Sequence, residues 1–224
     1  MQKKRAILFV NGQAAVDAVR WLLDDDEFLV AVDGGLRHVE GLGRVPDVLL
    51  GDLGSVDGVD VERLVQTGVE IVRYPQEKDE TDLELALRWV VQRGYERVRI
   101  VGGLGGRIDQ TLGNLALLLD EEWCRLDVRL DDGLDEVWLI EGVGEIEGRA
   151  GDVVSLLPWN GAAVEVWTDG LAYALSGETL YPQRTRGISN RLVGRWAQVR
   201  VSAGRLLCVH TRQVRDLRVL EEEG

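Results

Sequence analysis

The sequence predicts an α/β protein in two parts, a doubly wound, mostly parallel sheet followed by an antiparallel β-sandwich. Up to residue 134, short apolar segments alternate with segments that carry apolar residues at helical spacing. This alternation is typical of a parallel sheet covered by helices. From residue 135 to residue 224, short candidate strands follow one another between glycine turns, and no long helix is evident. We therefore expect two domains, covering residues 1–134 and 135–224.

The N-terminal part alternates its elements along the chain. We expect strands at these apolar segments: Ala6–Val10, Phe28–Val32, Val48–Leu50, Val69–Val72, Arg97–Val101 and Leu126–Leu130. Helices are expected at residues 15–23, at Asp60–Gln66, at Asp79–Gln92 and from Asp109, whose carboxylate could cap the last of them. Such a sheet is Rossmann-like, and its ligands bind beyond the carboxyl ends of the strands.

The C-terminal part carries most of the glycine turns and four of the seven tryptophans. We expect its strands at the following segments: Val137–Ile140, Asp152–Leu157, Ala162–Trp167, Leu171–Leu175, Arg195–Val201 and Leu206–His210. Pairs such as Asn160-Gly161 and Ser176-Gly177 predict the turns between them. Glu221–Gly224 is expected to be a solvated tail.

Composition narrows the possible partners and the location. The formal charge is −13, which disfavours nucleic acid because no basic stripe is present to neutralise phosphates. Cys124 and Cys208 lie far apart in apolar contexts, as do the two histidines, so neither a disulfide framework nor a zinc site is expected. The apolar run at the N-terminus is too short for a signal peptide, and no segment reaches membrane-spanning length. We expect a cytoplasmic protein without membrane or nucleic-acid partners.

A glycine-rich segment follows the expected strand Arg97–Val101. Gly102, Gly103, Gly105 and Gly106 precede Arg107, and a helix is expected directly afterwards. Such a turn lets phosphate groups approach main-chain N–H groups, and arginine adds a planar fork for their oxygens. The segment matches neither GxxxxGK[ST] nor a clean GxGxxG, so an ordinary tight turn with a solvated arginine is an alternative interpretation.

Acidic and basic residues follow several of the other strands. Because parallel strands end at one edge, these side chains should converge: Asp33, Asp52, Lys78, Asp79, Asp82 and Arg107. Carboxylates with a few cations around a glycine turn suit a site for Mg²⁺ and a nucleotide. Structural roles remain open for three of them, since Asp33 could be a turn residue, Asp79 a helix cap and Lys78 a solvated lysine.

Five motifs in order make the chain resemble the thiamine pyrophosphokinase family. They are VDGGL (Val32–Leu36), PDVLLGDLGS (Pro46–Ser55), YPQEKDETDLELAL (Tyr74–Leu87), GGLGGRIDQTLGN (Gly102–Asn114) and GISN (Gly187–Asn190). The resemblance implies Mg²⁺-dependent transfer of a diphosphoryl group from ATP to the hydroxyethyl oxygen of thiamine. It also implies a homodimer whose active site lies between an α/β domain and a β-sandwich.

The resemblance also implies roles for individual residues. Asp52 and Asp82 match metal-binding and catalytic acids, with Asp33 as a third metal candidate and Arg107 as a further catalytic candidate. The positions expected around the nucleotide are Gly34, Gly35, Lys78, Asp79, Thr81, Gly105, Gly106, Arg107, Asp109 and Asn114. Ser189 and Asn190 match the thiamine-binding turn. Tyr173 or Trp196 could supply an aromatic wall for thiamine, although Trp196 is expected in the sandwich core.

Two positions depart from the family pattern. The family usually shows GDxDS, but Gly54 stands where the second aspartate belongs, so one metal ligand is missing unless Asp57 or Asp33 replaces it. Gln110 replaces the usual histidine, and an amide cannot exchange protons near neutral pH. Two alternatives therefore stay open, a related pyrophosphokinase acting on another heterocyclic alcohol such as a pterin, and a non-catalytic nucleotide-binding module.

Overall fold

A computed structural model describes residues 4–14, 19–23 and 27–213, and the chain divides into two units between Gly133 and Leu134. The helix predicted over residues 15–23 falls largely outside the described residues, within which Arg20–Leu22 form a short 3₁₀ helix. The predicted tail at Glu221–Gly224 also lies outside them. Within the described residues, none of the helices combines the length and the apolar character needed to cross a membrane.

The first unit is built on a parallel sheet. Its strands are β1 (Arg5–Phe9), β2 (Phe28–Val32), β3 (Val48–Gly51), β4 (Glu70–Arg73), β5 (Arg97–Val101) and β6 (Asp127–Asp131). They lie in the order β6-β5-β1-β2-β3-β4, and each neighbouring pair is parallel. The predicted fold class is confirmed for this unit. The chain builds outward from β1 to β4 and then returns to the other side of β1, so the topological switch point lies between β1 and β5.

The described residues of this unit include four α-helices: α1 (Leu36–Gly41), α2 (Gly58–Gln66), α3 (Asp82–Gln92) and α4 (Ile108–Leu117). The hydroxyl of Thr81 caps α3 by accepting a hydrogen bond from the Glu84 N–H at 3.2 Å, so Asp79 is not its cap. Helix α4 begins at Ile108 without a side-chain cap. The expectation that Asp109 caps α4 is therefore wrong, because Asp109 lies within the first turn.

Both faces of the central strands are buried, as the continuous apolar runs of a parallel sheet require. On one face, Ile7, Leu29 and Leu49 belong to a core cluster with apolar residues of α1 and α2. Helix α3 buries another apolar stripe: Leu83, Leu85, Ala86, Leu87, Trp89 and Val90. A sheet held rigid on both faces fixes the positions of the loops that leave its carboxyl edge.

The second unit is a pair of antiparallel sheets. One contains β7 (Asp135–Ile140), β14 (Leu206–Thr211), β9 (Val153–Pro158) and the two-residue β12 (Asn190–Arg191), in the order β12-β9-β14-β7. The other contains β8 (Val143–Glu147), β10 (Ala163–Asp169), β11 (Ser176–Leu180) and β13 (Trp196–Ala203), in the order β11-β10-β13-β8. The predicted sandwich architecture is confirmed.

Three predictions for this unit are wrong. Leu171–Leu175 is not a strand, since Leu171 forms only an isolated bridge with Leu192. Strands β8 and β11 were not predicted, because only Ile146 and Leu180 are buried in them and their sequences lack a regular alternation. Trp196 is 40% exposed rather than part of the sandwich core.

Candidate functional site

Three carboxylates and one lysine meet at the carboxyl edge of the first unit's sheet. Asp33 directly follows β2, Asp52 directly follows β3, and Asp82 begins α3. Asp33 lies close enough to Asp82 and Asp52 that both carboxylates raise its pKa. Lys78 Nζ lies 2.9 Å from Asp82 Oδ1. The predicted convergence of these four residues is therefore present, and we call them the acidic cluster.

The backbone around Asp33 is shaped to hold its carboxylate in place. Asp33 and Leu53 both have positive φ, 46° and 60°, a conformation that side-chain-bearing residues seldom adopt. The Leu53 N–H donates a hydrogen bond to Asp33 Oδ1 at 2.9 Å. A Cβ at Gly51 would lie 2.1 Å from that same oxygen, so glycine is required there. The strained turn after β3 thus serves to seat the carboxylate that follows β2.

Lys78 is the cation of the acidic cluster. Its side chain is only 11% exposed, which excludes the alternative of a solvated surface lysine. Its ammonium donates to the Pro75 carbonyl at 2.9 Å and pairs with Asp82. Burial lowers the pKa of Lys78, but the neighbouring carboxylates outweigh burial and leave the pKa above its ordinary value. Lys78 is therefore charged at neutral pH.

The acidic cluster carries more negative charge than one lysine balances. Burial raises the pKa of Asp33 to about 7, and the hydrogen bond with Asp82 and the charges of Asp82 and Asp52 add to that rise, against the opposing Leu53 N–H. Asp82 Oδ1 is buried and has no well-aligned hydrogen-bond donor, since its 2.9 Å approach to Lys78 is an ion pair without hydrogen-bond geometry. A cation bound among these carboxylates would lower the pKa of Asp33 and give Asp82 Oδ1 a further partner.

The donor set fits Mg²⁺ better than a metal caged by protein alone. No group of three or more His, Cys, Asp or Glu side chains among residues 4–14, 19–23 and 27–213 is arranged to hold a metal ion unaided. Mg²⁺ commonly takes only one or two carboxylates and completes its shell with water and phosphate oxygens. Asp52 offers such an oxygen, because Oδ1 accepts from the Gly54 N–H at 2.7 Å and Oδ2 is not used by a described residue.

Glycines bring the backbones together at the switch point between β1 and β5. A Cβ at Gly12 would lie 1.9 Å from the Gly102 carbonyl oxygen, and a Cβ at Gly102 would lie 2.6 Å from the Val10 carbonyl oxygen. Gly102 also has a φ of 79°. These distances leave no room for side chains, so the two turns present bare main chain at the place where open α/β sheets bind ligands.

Two residues of α1 hold the Asn11-Gly12 turn, and the sequence did not single them out. Arg37 donates to the Asn11 side-chain oxygen, to the Asn11 carbonyl at 2.7 Å and to the Gly12 carbonyl at 2.8 Å. His38 Nε2 lies 2.9 Å from the Gly12 carbonyl, and burial lowers the pKa of His38, so the neutral ring donates there. The available signal was the position of both residues directly after VDGGL.

The other predicted nucleotide residues have defined local roles. A Cβ at Gly34 would lie 2.4 Å from the Asn11 side-chain oxygen, and one at Gly35 would lie 1.8 Å from the Phe9 carbonyl oxygen, so these glycines let α1 pack against β1. Asn114 Nδ2 donates to the Gly103 carbonyl at 2.9 Å and supports the glycine turn from α4. Asp79 is exposed and forms no ion pair with a described residue.

The glycine turn itself is open. Gly105 and Gly106 have φ values of 74° and 71°, and no atom lies within 4 Å of a Cβ built on either. Arg107 is exposed and pairs with Asp109 (Nε to Oδ1, 3.1 Å; Nη2 to Oδ2, 2.5 Å) rather than with the acidic cluster. Its hydrogen bonds to Asp109 raise the pKa of Arg107 and lower that of Asp109. The expected convergence of Arg107 with the aspartates is not present.

In the second unit, the Gly187–Asn190 turn lies beside β9. Gly187 has a φ of 100°, and its carbonyl accepts from the Leu156 N–H at 2.9 Å. The Ser189 N–H donates to Ser155 Oγ at 3.0 Å, while the Ser189 hydroxyl is exposed and makes no hydrogen bond to a described residue. The turn therefore presents one unused hydroxyl.

Asn190 is buried and its amide is used within the protein. Its Oδ1 accepts from the N–H groups of Tyr173 and Arg191, both at 2.9 Å, and its Nδ2 donates to the Tyr173 carbonyl at 2.7 Å. The ring of Tyr173 is 68% exposed. Asn190 thus fixes the backbone that presents the tyrosine ring beside the turn.

Comparisons with known proteins agree for both units. A family model described as thiamin pyrophosphokinase, catalytic domain, matches residues 19–129, and one described as thiamin pyrophosphokinase, vitamin B1 binding domain, matches residues 144–207. The thiamine pyrophosphokinase of Bacillus subtilis (strain 168) is 28% identical over 172 residues, covering 76% of this chain and 80% of that protein. A crystal structure of thiamine pyrophosphokinase from Bacillus subtilis covers 94% of this chain and 100% of its own, with a TM-score of 0.82 and 24% identity. One of thiamin pyrophosphokinase from Geobacillus thermodenitrificans covers 95% and 100%, with a TM-score of 0.80 and 25% identity.

The raised pKa of Asp33 predicts a pH-dependent stability. The unfolded chain releases this proton near pH 3.8 and the folded chain near 7, so the free energy of unfolding should fall as pH rises between these values. Asp33→Asn keeps an acceptor for Leu53 and tolerates positive φ. After discounting for solvent screening, we expect the variant to be more stable than the parent by about 1–2 kcal/mol at pH 8 and nearly equal at pH 4.

Urea denaturation at pH 4, 6 and 8, with a chelator present, measures this difference. Asp60→Asn, which removes a carboxylate outside the acidic cluster, serves as the control and should show no comparable trend. A difference between Asp33→Asn and the parent that does not grow with pH would contradict the assignment.

Proposed function

Because the chain belongs to the thiamine pyrophosphokinase family, we propose that it transfers a diphosphoryl group from ATP to the hydroxyethyl oxygen of thiamine, giving thiamine diphosphate and AMP. The observation that carries this proposal is the acidic cluster of Asp33, Asp52, Asp82 and Lys78, at the edge of a sheet that the catalytic-domain model matches. The match of the vitamin B1 binding model to the second unit favours thiamine over a pterin-like alcohol.

The acidic cluster is the proposed Mg²⁺ site. Asp52 and Asp82 would hold the ion, and Asp33 would lose its shared proton and contribute a third carboxylate. When bound, the ion neutralises charge on the phosphate oxygens of ATP. The buried Asp82 oxygen, which pairs with Lys78 but has no aligned hydrogen-bond donor among the described residues, and the raised pKa of Asp33 support this assignment. Gly54 leaves the cluster one carboxylate short of the usual family pattern.

The nucleotide is proposed to lie along the same edge of the sheet. Its phosphates would meet the main chain of Gly105 and Gly106, where no atom lies within 4 Å of a Cβ built on either glycine. Arg107 would exchange its exposed partner Asp109 for phosphate oxygens, which suit its planar fork. Lys78 would supply a fixed positive charge, and Thr81 and Asn114 would keep α3 and the glycine turn in place.

These residues act by positioning and by neutralising charge. The hydroxyl oxygen of thiamine forms a bond to the β-phosphorus as the bond from that phosphorus to the α,β-bridging oxygen breaks, and the hydroxyl proton is released. No covalent nucleophile is needed for such an in-line displacement. Gln110 cannot titrate near neutral pH, so it is not the acceptor of that proton.

Thiamine is proposed to bind at the Gly187–Asn190 turn. Ser189 offers an unused hydroxyl to a polar edge of the pyrimidine, and Tyr173 offers an exposed ring to the cationic thiazolium. Asn190 would act on thiamine by holding the Tyr173 backbone, because its amide is already committed to that backbone.

We further propose a cytoplasmic homodimer without nucleic-acid or membrane partners. No residue of α4 is buried, and its Ile108 and Leu112 are 76% and 53% exposed, so this helix offers an apolar face to a second copy. Cys124 and Cys208 are not joined in a disulfide, which suits a reducing compartment. The net charge of −13 supports the absence of a nucleic-acid partner.

Incubation of the protein with ATP, Mg²⁺ and thiamine tests the function directly. We expect AMP and thiamine diphosphate to form in equal amounts, with both products absent when thiamine or Mg²⁺ is omitted. ADP in place of AMP would show transfer of a single phosphoryl group and overturn the proposal. Turnover of a pterin alcohol in place of thiamine would support the alternative substrate.

Asp52→Asn is predicted to remove most of this activity. Asparagine can still accept from the Gly54 N–H, so the fold should survive, but the charge that would hold the ion is lost. We expect kcat to fall by about a hundredfold or more, measured as AMP release at saturating substrates. Asp60→Asn is the control, since this carboxylate pairs with Arg63 outside the cluster. Near-parental kcat in folded Asp52→Asn would remove Asp52 from the site.

Gly54→Asp restores the aspartate that the family usually has at this position and so tests whether its absence weakens the proposed Mg²⁺ site. A Cβ at Gly54 would lie 3.1 Å from Asp52 Oδ1, a tight contact that still places the new carboxylate beside Asp52. If the site is short of a ligand, the Mg²⁺ concentration for half-maximal rate should fall. An unchanged Mg²⁺ requirement would mean that another group already compensates.

Asn190→Ala is predicted to affect thiamine and not ATP. Loss of the amide removes the partners of the Tyr173 N–H and carbonyl and frees this backbone, so we expect KM for thiamine to rise by about tenfold or more while KM for ATP changes little. Ser189→Ala should also raise KM for thiamine, but without loss of thermal stability, because its hydroxyl is unused. A rise in KM for ATP alone would move this turn to the nucleotide site.

A further inference from the structure

A buried histidine–aspartate pair lies in the second unit, and none of the roles above uses it. His210, on β14, is 1% exposed, and Asp152, directly before β9, is 3% exposed. His210 Nε2 lies 3.0 Å from Asp152 Oδ2, so the ring donates to the carboxylate. Among the described residues, His210 Nδ1 has no hydrogen-bond partner; it lies 3.7 Å from Glu136 Oε2, and Glu136 itself pairs with Arg212 at 2.9 Å.

Asp152 connects three segments of the sandwich. Its side chain accepts from the N–H groups of Arg149 at 2.9 Å and Gln213 at 3.0 Å in addition to His210. Its own carbonyl accepts from the Leu192 N–H at 2.9 Å, and the Gly151 N–H donates to the Leu192 carbonyl at 2.8 Å. The residue therefore joins the turn before β9, the end of β14 and the segment that follows β12.

This connection leads directly to the proposed thiamine turn. Beyond Leu192, Arg191 pairs with Val153 and Asn190 pairs with Val154 in the β12–β9 ladder. On its other side, Arg191 accepts from the Ala172 N–H at 2.9 Å, next to the Tyr173 backbone that Asn190 holds. The hydrogen bonds of Asp152 therefore hold Leu192, and the strand pairs that follow connect Leu192 to Ser189 and Tyr173.

The chain at Gly148 packs closely over the His210–Asp152 pair. A Cβ at Gly148 would lie 2.7 Å from Asp152 Oδ2 and 2.8 Å from His210 Nε2, so only glycine allows the chain to pass over them. Burying polar groups costs desolvation, and apolar residues of similar size often stabilise a core as well or better. The His210–Asp152 pair is therefore better explained by the backbone arrangement of β9, β12 and β14 that it holds than by a gain in the free energy of unfolding.

We propose that His210 and Asp152 are positioning residues for thiamine, acting through β12 on the turn that carries Ser189 and on Tyr173. The inference rests on the proposed function for its kinetic consequence, but its structural consequence stands independently. His210 holds the carboxylate in one orientation, the carboxylate holds the start of β9, and β9 holds β12.

Substrate kinetics of four variants test the proposal. His210→Leu removes the donor, and His210→Gln restores one at the position of Nε2. We expect KM for thiamine to rise by about tenfold in His210→Leu, with KM for ATP within about twofold of the parent, and to return toward the parent value in His210→Gln. Asp152→Asn, which loses the charge and part of the acceptor capacity, should resemble His210→Leu.

Val199→Ala is the matched control because it truncates a fully buried core residue in the other sheet, away from Asp152. It should lower the melting temperature without raising KM for thiamine. If Val199→Ala and His210→Leu raise KM alike, or if His210→Gln fails to restore it, the pair serves general stability and the proposal is overturned.

Amide hydrogen exchange on the full chain, without substrates, separates this proposal from the function itself. In His210→Leu, exchange should accelerate by about tenfold or more at residues 187–192 and 171–173 and stay near the parental rate in β10 and β13. Uniform acceleration over the whole sandwich would contradict a local positioning role. If the local acceleration occurs but thiamine is not a substrate, the proposed function fails while the structural link stands.

Discussion

Crowding of Asp33, Asp52 and Asp82 around Lys78 is the interaction on which the proposed chemistry of the first unit depends. Carboxylates placed this close repel one another unless a proton or a cation lies among them; burial raises the pKa of Asp33 to about 7, and the charges of Asp82 and Asp52 add to that rise. Two residues with positive φ seat this group, although such backbone is costly. A protein that only needed stability would gain by removing one of these acids, and this is why we propose a cation site at the acidic cluster.

The fold explains why these residues meet at all. They come from the ends of β2 and β3 and from the start of α3, which lie far apart in the sequence but share one edge because every neighbouring pair of strands in this unit is parallel. The alternation of apolar segments with helical ones in the sequence predicted most strands within two residues of their observed bounds. The expected parallel arrangement of those strands then predicted that the residues of the acidic cluster would meet. What it could not predict was Arg107, because the direction of an exposed side chain depends on its nearest partner, here Asp109.

The sandwich was less predictable for a related reason. Its strands are short, and β8 and β11 bury so few residues that no alternation marks them. The positions of Asn190 and His210 depend on partners 17 and 58 residues away, Tyr173 and Asp152, and no local pattern encodes such pairings. Motif resemblance found the turn at Gly187–Asn190 without showing what supports it.

Polar residues that a family motif singles out need not all touch the ligand. Some end in a group that the protein leaves unused, as Ser189 and one oxygen of Asp52 do. Others use their side-chain amide to hold backbone, as Asn190 does at Tyr173 and Arg191, or support a turn, as Asn114 does at Gly103. Substitution of a residue with an unused group is expected to remove a contact with the ligand. Substitution of a residue that holds backbone is expected to displace another residue that makes such a contact. The side-chain groups of the motif residues that make no hydrogen bond to a described residue are therefore the best candidates for contacts with ATP and thiamine.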